Sequence, residues 1–279
     1  MIHMAPSLRF SLFSAVLALL VSLSPGPAQA QMVQGSPIRA EVLPGWVQPD
    51  GTRIAGLRMT LAPGWKTYWR APGDAGIPPS FDWSGSTNLR SVGVSFPTPT
   101  VFELSGLRSI GYFDMVILPL KITPLKPGEP IQLEARVELG VCKDVCLPET
   151  LHLSERLDDA NRTVTPAIAA AIADRPATAR EAGVRGVNCA LTPLSNGIRL
   201  QATLDLPSTG EPEIVVVEPG TPSIWASETT SRREGGKLVT TGELANASGT
   251  AMAIDRSALR FTVLGSKRAV DIRGCDPAS

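Results

Sequence analysis

From Ile131 to Leu139 the apolar residues Ile131, Leu133, Ala135, Val137 and Leu139 alternate unbroken with Gln132, Glu134, Arg136 and Glu138. A period of two sends one set to each face of a pleated strand. The stretch therefore folds as a half-buried β-strand, because a helix would scatter the same side chains around its axis. Ala55, Leu57, Met59 and Leu61 repeat the pattern, and shorter candidates are Ile38–Leu43, Ser91–Phe96, Met115–Ile122 and Thr150–Leu153. Turn-forming clusters separate them at Pro44-Gly45, Ala71-Pro72-Gly73-Asp74, Pro97-Thr98-Pro99 and Lys126-Pro127-Gly128. Short strands punctuated in this way predict an antiparallel β-sandwich. With 25 Gly and 25 Pro in 279 residues, the chain has too many breakers for a long helical bundle.

A second all-β segment follows after a break. Thr165 suits an N-cap, Pro166 suits the first helical position, Ile168, Ala169, Ile172 and Ala173 share a face, and Pro176 ends the run. Residues 159–185 thus read as a linker holding one short helix. Beyond it Ile198–Leu204 and Leu259–Val263 alternate, Glu213–Glu218 is a short apolar run, and Gly235-Gly236 marks a hairpin turn before Lys237–Glu243. Gly265-Ser266 turns the chain into Ala269–Ile272. The expected organisation is an all-β chain: a first sandwich over 36–158, the linker, and a smaller β-sandwich over 186–279.

The first thirty residues read as a secretory signal. Arg9 precedes an apolar core from Phe10 to Leu23, Pro25-Gly26-Pro27 breaks it, and Ala28-Gln29-Ala30 offers the small-x-small cleavage pattern near Ala30. The core is too short to span a bilayer, and no later segment reaches the about 18 apolar residues a span requires. Lys+Arg and Asp+Glu are equal at 26, which provides no field for a nucleic-acid backbone or an anionic membrane. The expectation is an exported, periplasmic protein that binds no nucleic acid and does not itself span the membrane once the signal is removed.

Export governs how the four cysteines are read, since an even number in an oxidising compartment suggests disulfides. Beyond the signal segment the only histidine is His152, so a four-ligand Cys/His zinc site is not expected. Cys189 begins the second β segment and Cys275 ends it. A bond between them closes nearly the whole domain and in the chain-entropy model contributes roughly 4–5 kcal/mol. Cys142 and Cys146 are separated by Lys143, Asp144 and Val145, where the alternating strand gives out at Gly140. A bond over so short a loop contributes only about 2 kcal/mol, which suits a labile, exchanging disulfide better than a staple. Lys143 would favour a thiolate there, while Glu138, Asp144 and Glu149 oppose it. Spacing alone leaves two roles open for this pair: redox exchange, or a structural bond pinning the turn before Pro148.

Three motifs in order add a family resemblance: Gly64-Trp65-Lys66-Thr67-Tyr68-Trp69-Arg70, Gly111-Tyr112-Phe113-Asp114 running into Ile117-Leu118-Pro119-Leu120, and Gly140-Val141-Cys142-Lys143-Asp144-Val145-Cys146-Leu147-Pro148. Over about residues 36–158 the chain resembles the periplasmic N-terminal domain of the DsbD/ScsB thiol–disulfide interchange proteins. The segment bearing Cys189 and Cys275 looks like the additional β domain of ScsB-type members. The resemblance implies an immunoglobulin-like sandwich and a protein-disulfide reductase relay without metal or organic cofactor. In that relay a membrane thiol carrier of the CcdA/DsbD kind, or its thioredoxin-like domain, reduces the Cys142/Cys146 pair. The pair then passes electrons to periplasmic thiol–disulfide proteins, a disulfide isomerase or a cytochrome maturation factor among the possible recipients. By position Cys146 matches the cysteine that forms the mixed disulfide and Cys142 its resolving partner. A cap loop matching the family's would lie around Phe102, Glu103 and Leu104, before Tyr112. Two departures stand. Fewer residues separate the cysteines than in DsbD, which leaves open which sulfur is exposed. The sequence also stops at Ser279 without a transmembrane bundle or thioredoxin domain, so one module of a relay is expected, working with a separately encoded membrane protein.

Two rival readings remain at this level. Cys-x-x-x-Cys-x-Pro also resembles the copper-chaperone motif of SCO-type proteins, with His152 as a third ligand to Cu(I), although those proteins are thioredoxin-like and these surroundings are β throughout. Trp46, Trp65, Tyr68, Trp69 and Trp83 could instead line a sugar-binding face of a non-catalytic sandwich; the alternative is that Trp65 and Trp69 belong to core and rim.

Overall fold

Every alternating stretch named above is strand over most of its length in the computed structural model, which describes Met1 and residues 35–74, 76–104, 107–158, 161–246 and 252–278. The expected signal segment, Met1 apart, lies outside the described residues. The first ten strands are β1 (Ile38–Val47), β2 (Arg53–Leu61), β3 (Lys66–Tyr68), β4 (Ser80–Asp82), β5 (Leu89–Val94), β6 (Thr100–Leu104), β7 (Leu107–Phe113), β8 (Met115–Pro124), β9 (Ile131–Cys142) and β10 (Cys146–Leu157). One sheet runs β1-β2-β8-β5 and the facing sheet β10-β9-β3-β7-β6, with β4 also paired to β9. Between them Leu57, Met59, Leu118, Leu120, Ile122, Leu133, Val137, Leu139 and Trp69 are almost wholly buried. Each such aliphatic side chain contributes about 1.5–3 kcal/mol on removal from water, and together they fix which face of each strand points inward. The fold is immunoglobulin-like and mostly β.

Helix α1 (Pro166–Ala173) begins after Thr165 with Pro166 in its first turn, but the Thr165 side chain makes no capping bond. The stretch expected as a linker is docked rather than free. Ile168 is fully buried against Gly56 and Ile117 of the outer sheet face, Thr98 N–H donates to Asp174 O, and Val47 N–H to Asn161 O. Strand β11 (Ala177–Thr178) and the four-residue α2 (Ala179–Ala182), opened by a Thr178/Glu181 capping box, complete the passage.

The remaining strands are β12 (Gly186–Leu194), β13 (Gly197–Asp205), β14 (Ile214–Glu218), β15 (Ile224–Ala226), β16 (Thr230–Glu234), β17 (Lys237–Asn246), β18 (Arg260–Leu264), β19 (Ala269–Arg273) and β20 (Asp276–Pro277). They form a sheet β11-β19-β18-β14 and a sheet β15-β17-β13-β12-β20, with β16 also on β17. Gly235 and Gly236, both at positive φ, make the expected tight turn between β16 and β17. The Cys189–Cys275 disulfide joins β12 to the residue before β20, at a Cα separation of 5.8 Å.

Both faces of the β11-β19-β18-β14 sheet are covered. Val215, Val217, Phe261, Val263, Val270 and Ile272 face the second sandwich's own core. The alternate residues Ile214, Val216, Leu264 and Ala269 pack into the core of the first. Ser36–Ser279 accordingly forms one compact unit.

Candidate functional site

Strand β9 does not stop at Gly140, as the sequence suggests, but runs on to Cys142, with Leu139 to Cys142 buried on both faces. Cys146 opens β10, and the two cysteines are direct cross-strand partners at the end of a long hairpin, their Cα atoms 4.1 Å apart and their sulfurs joined. Only Lys143, Asp144 and Val145 close the turn, with Lys143 N–H donating to Val145 O at 3.1 Å. The bond is asymmetric in its exposure. Cys142 is fully buried, whereas Cys146 is exposed together with Val145 and Leu147 on either side of it.

Gly140 is strand without a side chain because something else occupies the space. Along one edge of β9 the partner changes from β4, opposite Arg136–Glu138, to β3, opposite Val141 and Cys142. In the gap the Tyr68 ring lies across the strand. A Cβ on Gly140 would stand 2.8 Å from Ile77 Cβ and 3.1 Å from two Tyr68 ring carbons. Gly76 closes in on the same ring from the other direction, its missing Cβ 2.8 Å from Tyr68 Cδ1. Thr67 Oγ1 donates to Gly140 O at 2.9 Å and holds β3 in place.

Held there, the Tyr68 hydroxyl lies 2.8 Å from Cys142 Sγ and 3.4 Å from Cys146 Sγ. A disulfide sulfur has no hydrogen, so the phenol is the donor. Burial raises the Tyr68 pKa, which keeps that proton in place. Strand alternation sets Lys66 on the same face, since Lys66 pairs with Cys142 on one side and Phe113 on the other. Its ammonium sits 4.5 Å from the centroid of Phe102, and the Phe102 ring meets Phe113 edge-on at 5.0 Å. Phe102 thus belongs to the face of the sheet that carries the cysteines, and Glu103 is exposed beside it.

Tyr112, the other residue expected near a cap, is elsewhere. Its side chain is buried on the core face, the hydroxyl donates to Pro97 O at 2.8 Å, and burial pushes the phenol pKa well up. Residues 102–104 are not an irregular loop either, because β6 and β7 pair as a hairpin from Thr100↔Gly111 to Leu104↔Leu107.

The copper reading loses its third ligand. His152 is exposed on β10 six residues beyond Cys146, roughly 20 Å away at strand rise, opposite Arg136. Among the described residues no three His, Cys, Asp or Glu side chains come together as a metal site. The aromatic cluster does not form a binding face. Trp69 is fully buried, Trp65 and Trp83 pack against the core, and Trp83 stacks on Phe81. Tyr68, Lys66, Gly140 and Ile77 are site residues that pattern reading passed over. The signal for Tyr68 was present: with Thr67 and Trp69 pointing inward, Tyr68 must face the cysteines.

Comparison with known proteins agrees with this geometry. Residues 38–157 match the family described as thiol:disulfide interchange protein DsbD, N-terminal. Among solved structures the chain is similar to the N-terminal periplasmic domain of ScsB from Proteus mirabilis, with a TM-score of 0.68 at 20% identity, covering 89% of this chain and 96% of that one. That likeness extends the fold through the second sandwich. No curated protein sequence matches.

Proposed function

Residues 38–157 of this chain belong to the DsbD N-terminal family, and from that premise we propose that the Cys142–Cys146 bond is the reacting centre of a periplasmic thiol–disulfide relay. The observation that carries the reading is the unequal setting of the two sulfurs: Cys146 exposed, Cys142 buried, and a phenol hydroxyl donating nearer to the buried one. An incoming thiolate reaches Cys146 Sγ. The electron pair of the broken S–S bond then goes to Cys142, where the Tyr68 O–H is placed to stabilise the leaving thiolate. A second thiolate from the donor resolves the mixed disulfide, leaving the donor oxidised and the pair as a dithiol. In the forward half-cycle Cys146 attacks the disulfide of a periplasmic partner. Cys142 then attacks Cys146 Sγ, the partner departs as a dithiol, and the Cys142–Cys146 bond is restored.

The donor in this scheme is a membrane thiol carrier or its thioredoxin-like domain, and the N-terminal signal segment supplies the route to the periplasm. Val145, Leu147, Ile77 and Phe113, all exposed apolar residues near the pair, give partners a surface to touch. The β6–β7 hairpin, with Phe102 set against Lys66, takes the part of the cap. Cys189–Cys275 stays closed as the staple of the second sandwich.

Single-cysteine variants test this. Reduced Cys142→Ser is expected to accumulate a mixed disulfide through Cys146 with a disulfide-bearing model protein, and reduced Cys146→Ser is not. Equal trapping by both variants, or a wild-type pair that mild reductants leave closed, overturns the proposal.

A further inference from the structure

One side chain of the segment that follows the strand carrying Tyr68 reaches the second sandwich. Arg70, two residues after Tyr68, leaves the first sandwich and enters a polar patch on the sheet face that otherwise packs into the first core. Its Nε donates to Glu218 at 3.0 Å, its Nη2 donates to Glu218 at 3.0 Å and to Thr262 Oγ1 at 3.1 Å, and Asp271 lies 3.8 Å away. Arg260 completes the group with a two-bond pairing to Asp271 at 2.6 and 2.9 Å. Two cations thus meet two carboxylates, with Arg70 and Glu218 side chains only 14% and 21% exposed. The guanidinium also lies 3.8 Å from the centroid of Trp69, the fully buried residue between Arg70 and Tyr68. The end of β3 is therefore gripped from both sides: Trp69 in the first core, Arg70 by the second sandwich.

We infer that Glu218, with Thr262 beside it, is a positioning residue for the redox pair: by fixing Arg70 it fixes the Tyr68 hydroxyl against the Cys142 sulfur. This rests on the function proposed above and adds a role for the second sandwich in it. Trp69 and Arg70 follow directly on the last residue of β3, and Trp69 N–H donates to Ile110 O at 2.9 Å, so the two-residue lever is short and tied down, and a displaced Arg70 backbone moves the phenol. The hydroxyl contact favours the thiolate form of Cys142. Loosening it shifts the balance of protein disulfide plus two glutathione thiols against protein dithiol plus glutathione disulfide towards the protein disulfide.

The test is that glutathione equilibrium, measured by alkylation trapping on wild type, Tyr68→Phe, Glu218→Gln, the double variant and Arg233→Gln. The last removes a comparably buried ion pair, Arg233–Glu213, wholly inside the second sandwich. Loss of one hydrogen bond to a charged sulfur corresponds to about a ten- to hundredfold shift in the constant. Tyr68→Phe and Glu218→Gln are both expected to shift it towards the disulfide, the double variant to match Tyr68→Phe alone, and Arg233→Gln to leave it unchanged despite lower thermal stability. Should Glu218→Gln fail to fold, Thr262→Val takes its place with a smaller shift in the same direction. A wild-type constant in Glu218→Gln, additive effects in the double variant, an unmoved Tyr68→Phe or an equal shift in Arg233→Gln each overturns the inference. If the wild-type pair does not equilibrate with glutathione at all, the proposed function itself is what fails.

Discussion

At the scale of single residues, the site depends on an atom that is missing. Gly140 lies within a regular strand, two residues before its end, where glycine ordinarily weakens the structure, and its absent Cβ makes room for the Tyr68 ring over the cysteines. Adding one methyl at this position cannot be absorbed by a flexible side-chain end, because the nearest atoms are Ile77 Cβ and the Tyr68 ring. Gly140→Ala is expected to lower stability by about 1–3 kcal/mol, the usual cost of overpacking. The variant should also lift the ring, so that in the reduced protein iodoacetamide reaches Cys142 faster than in wild type. Urea midpoints and alkylation rates check the two parts separately, and a neutral substitution would mean that the ring does not seat on the strand.

At the scale of elements, the two disulfides divide along lines that the chain entropy already drew. Cys142–Cys146 spans four residues and joins strands that are paired along their whole length, so the hairpin is held by its ladder from Leu157↔Ile131 onward without the bond. Cys189–Cys275 spans 86 residues and ties down β20, which among the described residues pairs only with β12. Cys142→Ser/Cys146→Ser is therefore expected to lose no more than about 2 kcal/mol, and Cys189→Ser/Cys275→Ser about 4–5 kcal/mol, before native strain is counted. Thermal denaturation ranks them, and the reverse order would make the short bond the structural one. The strands were legible from periodicity: Ile131–Leu139 alternates because one of its faces is wet. Where neither face is wet the pattern fades. β3 is three buried residues, Lys66, Thr67 and Tyr68, and no period of two separates inside from outside there. The β6–β7 hairpin lies where the family's cap loop is expected, and the docking of 159–185 rests on scattered buried residues, Ile168 on the first sandwich and Ala182 in the second core, rather than on one periodic face. Tyr68 reads as one more member of an aromatic cluster until its alternation with a buried Trp69 shows that it takes the opposite face, the one that carries the cysteines.

At the scale of the whole molecule, the two sandwiches share a layer. Leu264 belongs by chain and by pairing to the second sandwich, yet its side chain is buried in the hydrophobic core of the first, as is that of Ala269. A sheet with both faces covered cannot be exposed on one side without cost, so neither sandwich is expected to unfold and leave the other intact. Four of the five tryptophans, Trp46, Trp65, Trp69 and Trp83, report on the first sandwich, while amide exchange in β13 and β17 reports on the second. Urea unfolding followed by the two probes should give one coincident transition. Leu264→Ala, which opens a cavity in the first core from a strand of the second, should lower stability by about 2–5 kcal/mol and move both midpoints together. Separate transitions in the wild type, or a shift confined to the second sandwich in the variant, would show two independently stable bodies, and the Arg70–Glu218 network would then be a contact between neighbours rather than part of one cooperative fold.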